Sequence, residues 1–270
     1  MRFRSVLVLS GLCIVPVFAM GTSGCQGGPA GGNYVDMRIS RSSILYWGHS
    51  TFSITSRDGH VLLIDPYNPE QTGYPRYRTS ADLVLITTEV NDHNDTSWCT
   101  NDPVVVRGLD ASGEVAPIDQ TTGPFHVWTV PALRGGPAGQ DNGNTAMFVV
   151  EVDGVRIAHL GDLGQDELDD AQLAAIGRPH FLMVPVGGGL TIDGDAACHV
   201  AEQQVGANYI LPMHFRTAAT AAPLSEQIDT ADAFINCFSS NPIQYNGNGI
   251  SLNYGDIPPA PELLLLTYLP

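Results

Sequence analysis

The chain contains no lysine; all 12 of its basic residues are arginine. That absence removes whole classes of chemistry, because a phosphate-binding P-loop, a Schiff-base enzyme and a kinase-type site each need a lysine. A G-x-S-x-G elbow is also missing, which argues against an ordinary serine α/β-hydrolase. Basic charge is scarce altogether. Against the 12 arginines stand 28 acidic residues, for a formal net charge of -16. A surface this acidic disfavours nucleic acid and anionic membranes as partners, although acidity also serves solubility alone. Of the 270 residues 43% are hydrophobic, enough for one sizeable core or one large two-sheet domain.

One apolar run stands at the N-terminus. Arg2 and Arg4 precede residues 5–20, and Gly21-Thr22-Ser23-Gly24-Cys25 follows. A basic start, a short apolar stretch and small residues read as an export signal over residues 1–24. The stretch is short for a membrane-spanning helix. Cys25 after Ser-Gly suggests a bacterial lipoprotein cleavage site with the cysteine acylated, although Thr22 stands where an aliphatic residue is usual. The alternative is plain secretion with Cys25 a bystander. On the first reading the protein is exported and faces the periplasm or cell exterior. It touches the membrane only through its lipid, on a flexible tether over residues 25–42. Cys13 leaves with the signal, so Cys99, Cys198 and Cys237 remain. This odd set allows at most one intramolecular disulfide and is not spaced as a zinc cluster, so buried apolar thiols are expected.

Residues 43–270 read as a single domain. Short β-like runs at 43–47, 51–56 and 61–64 are separated by Gly-His and Asp-Gly turns. Residues 83–87 form a nearly continuous apolar run, the pattern of a buried strand. Runs at 125–130, 146–152 and 155–160 continue the β pattern. Helical spacing is expected over 166–176, 195–205 and 224–238, with buried strands at 181–186 and 209–212 between them. Hairpins first, then alternating helix and strand, predict two packed sheets with helices outside.

Several of these strands end in a polar residue, the place where loop-borne catalytic groups collect. These residues are Asp65, Asp92 with His93, Arg134, Asp162 and His214. The most informative stretch is Thr87-Thr88-Glu89-Val90-Asn91-Asp92-His93. It has the frame of the metallo-hydrolase signature T-H-x-H-x-D-H, with the first two histidines replaced by Thr88 and Val90.

The motifs carry a resemblance to the metallo-β-lactamase fold, an α/β four-layer αββα sandwich. More narrowly, the chain resembles the branch of ascorbate-6-phosphate lactonase and the bacterial relatives of N-acylphosphatidylethanolamine phospholipase D. The matching pieces are Trp47-Gly48-His49-Ser50-Thr51, Ile64-Asp65-Pro66, Asn144-Thr145, Gly161-Asp162-Leu163-Gly164, Thr191-Ile192-Asp193 and Pro212-Met213-His214. The resemblance implies two metal ions. The ligand positions for the first fall on Thr88, Val90 and Arg134. Valine cannot ligate, and a guanidinium has no lone pair to offer. The positions for the second, Asp92, His93, Asp162 and His214, are intact. They suit one divalent ion, zinc foremost, with manganese or iron as alternatives.

Catalytic roles are therefore expected of Asp92, of Arg134 as a fixed positive charge beside Asp162 or Glu89, and of His49 near the site. Arg134 reaching into solvent at a decayed site is the competing reading, and a structural turn histidine is the competing reading for His49. Asp65 is expected to support the ligand loop rather than bind metal. His159 is expected to point away from Asp162 or pack beneath it. The expectation is a hydrolase of esters, lactones, amides or phosphodiesters, acting on a small molecule that is anionic if Arg134 clamps it. The alternatives are a surface binding protein that keeps the fold without catalysis, and a metal that is purely structural.

Overall fold

The computed structural model describes residues 33–34, 42–135, 143–238, 243–244, 247–252 and 261–269. The expected export signal, Cys13, Cys25 and most of the expected tether lie outside them. Asn33–Tyr34, inside that tether, pairs in parallel with Tyr77–Arg78.

Among the described residues the chain forms two large mixed sheets. The first has six strands, in the order Gly249–Ser251, Ser43–Gly48, Thr51–Thr55, Val61–Ile64, Leu83–Ile86, Val104–Arg107. The second has eight, in the order Ile243–Gln244, Glu262–Leu265, Tyr209–Met213, Phe181–Pro185, Val155–His159, Asn144–Val152, Phe125–Leu133, Asp119–Thr122. Alternation along each strand decides what lies between the layers. Leu62, Ile64, Leu83 and Leu85 of the first sheet meet Phe148, Val150, Ile157, Met183 and Leu211 of the second in a shared core. The other face of the second sheet, with Met147, Val149, Leu182 and Val184, is covered by Ile176, Val200, Ala201 and Phe234 from the helices. The other face of the first sheet packs Trp47, Leu63, Val84 and Ile86 against Tyr67, Tyr74, Tyr77 and Trp98. The result is the αββα sandwich expected from the sequence. Both faces of these strands are buried, so they read as continuous apolar runs.

The helices depart from expectation in instructive ways. The segment expected over 166–176 is helical only at Asp170–Ile176. Asp169 caps it through Gln172 N–H, and the Gln172 side chain returns the bond. The segment expected over 195–205 starts as an α-helix, Gly194–Cys198, and continues as a π-helix, His199–Val205. The segment expected over 224–238 is split into Leu224–Glu226 and Asp232–Cys237. Between them the backbone is used elsewhere: Asp229 N–H donates to Gly187 C=O at 2.6 Å, and Arg216 N–H donates to Asp229 C=O at 2.7 Å. Those tertiary bonds replace the helical ones.

The expectation of three buried thiols is corrected. Cys198 and Cys237 form a disulfide across 39 residues, and Cys99 stays free. The bridge ties the end of Gly194–Cys198 to the end of Asp232–Cys237, two helices already packed on the second sheet. Replacing both cysteines by serine is expected to lower stability by about 3–4 kcal/mol, since a loop of this length is released in the unfolded chain. Denaturant unfolding of the double variant beside the parent measures it. An unchanged midpoint would mean the bridge adds nothing.

Candidate metal centre

The site gathers where strand ends from the two sheets meet. Leu83–Ile86 hands the chain to the loop carrying Asp92 and His93, Val155–His159 to the turn carrying Asp162, and Tyr209–Met213 to His214. His49 sits in the tight turn between Ser43–Gly48 and Thr51–Thr55. That turn needs its glycine. Gly48 has φ +117, and a Cβ there would fall 2.5 Å from the Tyr74 ring. Non-glycine residues at positive φ in the described chain are His49, Asp65, Asp153 and His214, so three of the four belong to this site. Left-handed backbone at such residues costs of order 1 kcal/mol or more and persists where the surroundings over-determine it, commonly at functional sites.

Three imidazoles and three carboxylates form one buried cluster. His93 Nε2 lies 2.8 Å from Asp162 Oδ1 and 3.9 Å from Asp92 Oδ2. His214 Nε2 lies 3.5 Å from Asp162 Oδ1. His49 Nε2 approaches Asp92 Oδ2 at 3.1 Å. Asp65, as expected, does not face the cluster's centre. It accepts from Thr87 N–H at 2.8 Å, from the Thr87 hydroxyl at 2.6 Å, and contacts His93 Nδ1 at 2.9 Å. A carboxylate behind a ligand histidine fixes its tautomer and leaves Nε2 as the forward atom. His159 packs beneath the site, with Nε2 against Ser50 C=O at 2.9 Å and Nδ1 accepting from Gly161 N–H.

Arg134 does not reach into solvent. Its side chain is 16% exposed, and Nε donates to Asp162 Oδ2 at 3.0 Å. A short bridge between Arg134 and Leu163 brings the end of Phe125–Leu133 beside the Asp162 turn. Glu89, the other acid considered for it, pairs instead with Arg107 Nη1 at 2.6 Å. Thr145 supports the same turn, its hydroxyl accepting from Asp162 N–H at 3.2 Å. The sequence offered this only as the Asn144-Thr145 dipeptide, with no sign of its target.

The fit to a metal is tested by what the protein leaves unpaired. His93 Nε2, Asp162 Oδ1 and both nitrogens of His214 are buried and make no hydrogen bond. His93 Nε2 and Asp162 Oδ1 are 2.8 Å apart yet poorly aligned for a mutual bond, as two donors aimed at a third point would be. A tetrahedral ion with bonds of about 2.0–2.1 Å sets its donors about 3.3–3.4 Å apart, and the observed 2.8, 3.5 and 3.9 Å straddle that value. Mutual distances also group His49, Asp92, His93 and His214, one donor atom from each lying within 4.8 Å of the others. The residues present fit a divalent ion.

Electrostatics agree with the geometry. Burial opposes a charge on His93, but Asp162, Asp92 and Asp65 outweigh it and push its pKa well above the usual imidazole value. Burial opposes ionisation of Asp92 and Asp162 too, and His93 beside them holds both carboxyls far below the usual range. His214 behaves oppositely. Burial, and then His49 beside it, push it down to about 3, leaving a neutral imidazole ready to ligate. Replacing Asp65 by alanine would strand His93 Nδ1 and the Thr87 N–H. Divalent-metal affinity is expected to fall about 10–100-fold with the fold retained, read by competition with a chromogenic chelator. An unchanged affinity would remove Asp65 from the account.

Two stacked sheets with a buried His-Asp donor set at their strand ends define a candidate metal centre. The β-lactamase superfamily domain matches residues 43–214, and the chain belongs to that superfamily. A UPF0173 metal-dependent hydrolase from Methanoregula boonei is 31% identical over 189 residues, covering 64% of this chain and 82% of the relative. One from Alkaliphilus metalliredigens is 28% identical over 217 residues, covering 71% and 95%. A crystal structure from Thermotoga maritima, assigned to the zinc-dependent hydrolases of the metallo-β-lactamase superfamily, superposes with a TM-score of 0.64. It has 26% identity and covers 84% of this chain and 100% of that one.

Proposed function

We propose that this protein is an exported, lipid-anchored hydrolase that works with one divalent metal, Asp92, His93, Asp162 and His214 being the ligands, and with Arg134 in place of a second. The observation that carries this reading is the set of buried, unpaired donor atoms on His93, His214 and Asp162. Zinc is the first choice for two imidazoles and two carboxylates, with manganese or iron as alternatives. When bound, such an ion lowers the pKa of water to about 7 and polarises a carbonyl or phosphoryl oxygen.

The chain's own residues supply the rest. Arg134 neutralises Asp162 through its Nε, and its fixed charge repels a second cation. The same guanidinium is placed to hold an anionic group of a substrate or a developing negative charge. Asp92 is the more open of the two carboxylates facing His93, with 18% of its side chain exposed against 2% for Asp162. It is the residue placed to accept a hydrogen bond from the attacking water and orient it, with His49 as its hydrogen-bonded partner. The substrate class is an ester, lactone or phosphodiester of a small anionic molecule, in keeping with the ascorbate-6-phosphate lactonase and phospholipase D branch. Metal analysis followed by turnover assays on lactone and phosphodiester panels tests this. One metal and measurable turnover support it. One metal with no turnover on any panel would favour the binding-protein reading, which the loss of three ligand positions at Thr88, Val90 and Arg134 also recommends.

Export is supported by the Cys198–Cys237 bridge, since structural disulfides persist mainly in oxidising compartments. With Cys25→Ala the full-length protein is expected to leave the membrane fraction, read by fractionation and labelled-fatty-acid incorporation. Equal labelling of parent and variant would contradict the anchor.

A further inference from the structure

We propose that His49 is itself a ligand of the metal, giving the centre three imidazoles rather than two; this rests on the single-metal reading above. His49 is 0% exposed although it sits in a two-residue turn, where a polar side chain would ordinarily face water. Its backbone is pinned to the site: its C=O accepts from His214 N–H at 2.8 Å and from the Tyr46 hydroxyl at 3.1 Å. The left-handed turn, φ +52, then directs the ring inward. There the ring centroid lies 4.2 Å from that of His214 and 5.3 Å from that of His93.

The ring's hydrogen bonding is incomplete. One nitrogen, Nε2, meets Asp92 at 3.1 Å, and the other, Nδ1, is buried with no partner. A neutral imidazole carries one lone pair and one N–H. A cation inside the cluster takes the lone pair of one ring nitrogen, and the N–H is left on the other. His49, Asp92, His93 and His214 are also the group whose donor atoms all lie within 4.8 Å of one another, close enough to converge on one ion with bonds of about 2.0–2.1 Å by side-chain shifts of at most about 0.9 Å. Asp162 keeps its Oδ1 toward His93 and His214 while Arg134 holds its Oδ2 and Thr145 its backbone N–H, so His49 adds to the donor set rather than replacing it. A third imidazole thus enters from the opening hairpin, in a chain whose Thr88 and Val90 have replaced two others.

The competing account makes His49 only a hydrogen-bonded support for Asp92, and the two differ in the number of coordinated rings. The full chain, grown with isotope-labelled histidine and loaded with a spin-active cadmium isotope, shows metal–nitrogen coupling for each ligating imidazole by NMR. Three coupled rings are expected in the parent, and two in His49→Gln. Cadmium affinity in the variant is expected to fall more than about 100-fold, beyond the 10–100-fold of a supporting residue. Two coupled rings in the parent would overturn the inference and leave the single-metal reading standing. No bound cadmium would overturn both. Should His49→Gln fail to fold, the parent's ring count decides alone.

Discussion

Replacing His93 by alanine is expected to abolish metal binding and to lower the melting temperature of the metal-free protein together. The imidazole is fully buried and touches Asp65 at 2.9 Å, Asp162 at 2.8 Å and Asp92 at 3.9 Å. Without the metal it is the positive partner of those acids, since their combined field holds a proton on it despite burial. Its removal deletes a ligand and also leaves buried carboxylates with no counter-charge. Breaking a buried ion pair from one side costs about 3–5 kcal/mol. At roughly 2–4 °C per kcal/mol for a domain of this size, the melting temperature should drop by about 6–20 °C. Elemental analysis and calorimetry read the two effects. A variant that still carries its metal would show that His93 is not a ligand.

Replacing Arg134 by alanine has the second largest expected effect. The guanidinium is the only replacement for a ligand position that structure places in direct contact with a carboxylate of the centre, through its 3.0 Å bond to Asp162. Its loss frees Asp162 to change rotamer and removes the fixed charge that the second metal would otherwise supply. Turnover is expected to fall about 100–1000-fold, the cost of deleting one preorganised charge-stabilising donor. Lysine should rescue little, because an ammonium cannot present the planar donor pair of a guanidinium. Rebuilding the lost positions as Thr88→His, Val90→His and Arg134→His should instead raise metal content towards two ions. Unchanged folding, metal content and turnover in Arg134→Ala would show that the residue is a bystander.

Most of the architecture was legible because its cause is local. In Val61-Leu62-Leu63-Ile64 every residue is apolar and every residue is buried, so the run announces a strand with both faces covered. The convergence of Asp92, His93, Asp162 and His214 was legible for a similar reason: each follows an apolar strand, and the ends of these strands meet at one place. What escaped depends on distant partners. The helix expected over 224–238 breaks because Gly187 and Arg216 engage the backbone of Asp229, and nothing near Asp229 encodes those partners. The Cys198–Cys237 bridge needs two helices to pack before the thiols meet, so counting cysteines could allow it but not assign it. The place of His49 was half legible. Its motif put it near the site, but only the hairpin turn and the His214 backbone bond bring its ring into the cluster.

A centre with this donor set should hold a single divalent ion where its signature motif would hold a pair. Equilibrium dialysis of the full chain against zinc or manganese, followed by elemental analysis, measures this directly. One ion per chain, absent from His93→Ala, is the predicted result. Two ions per chain would contradict the substitution of charge by Arg134, and none after reconstitution would contradict the metal centre itself.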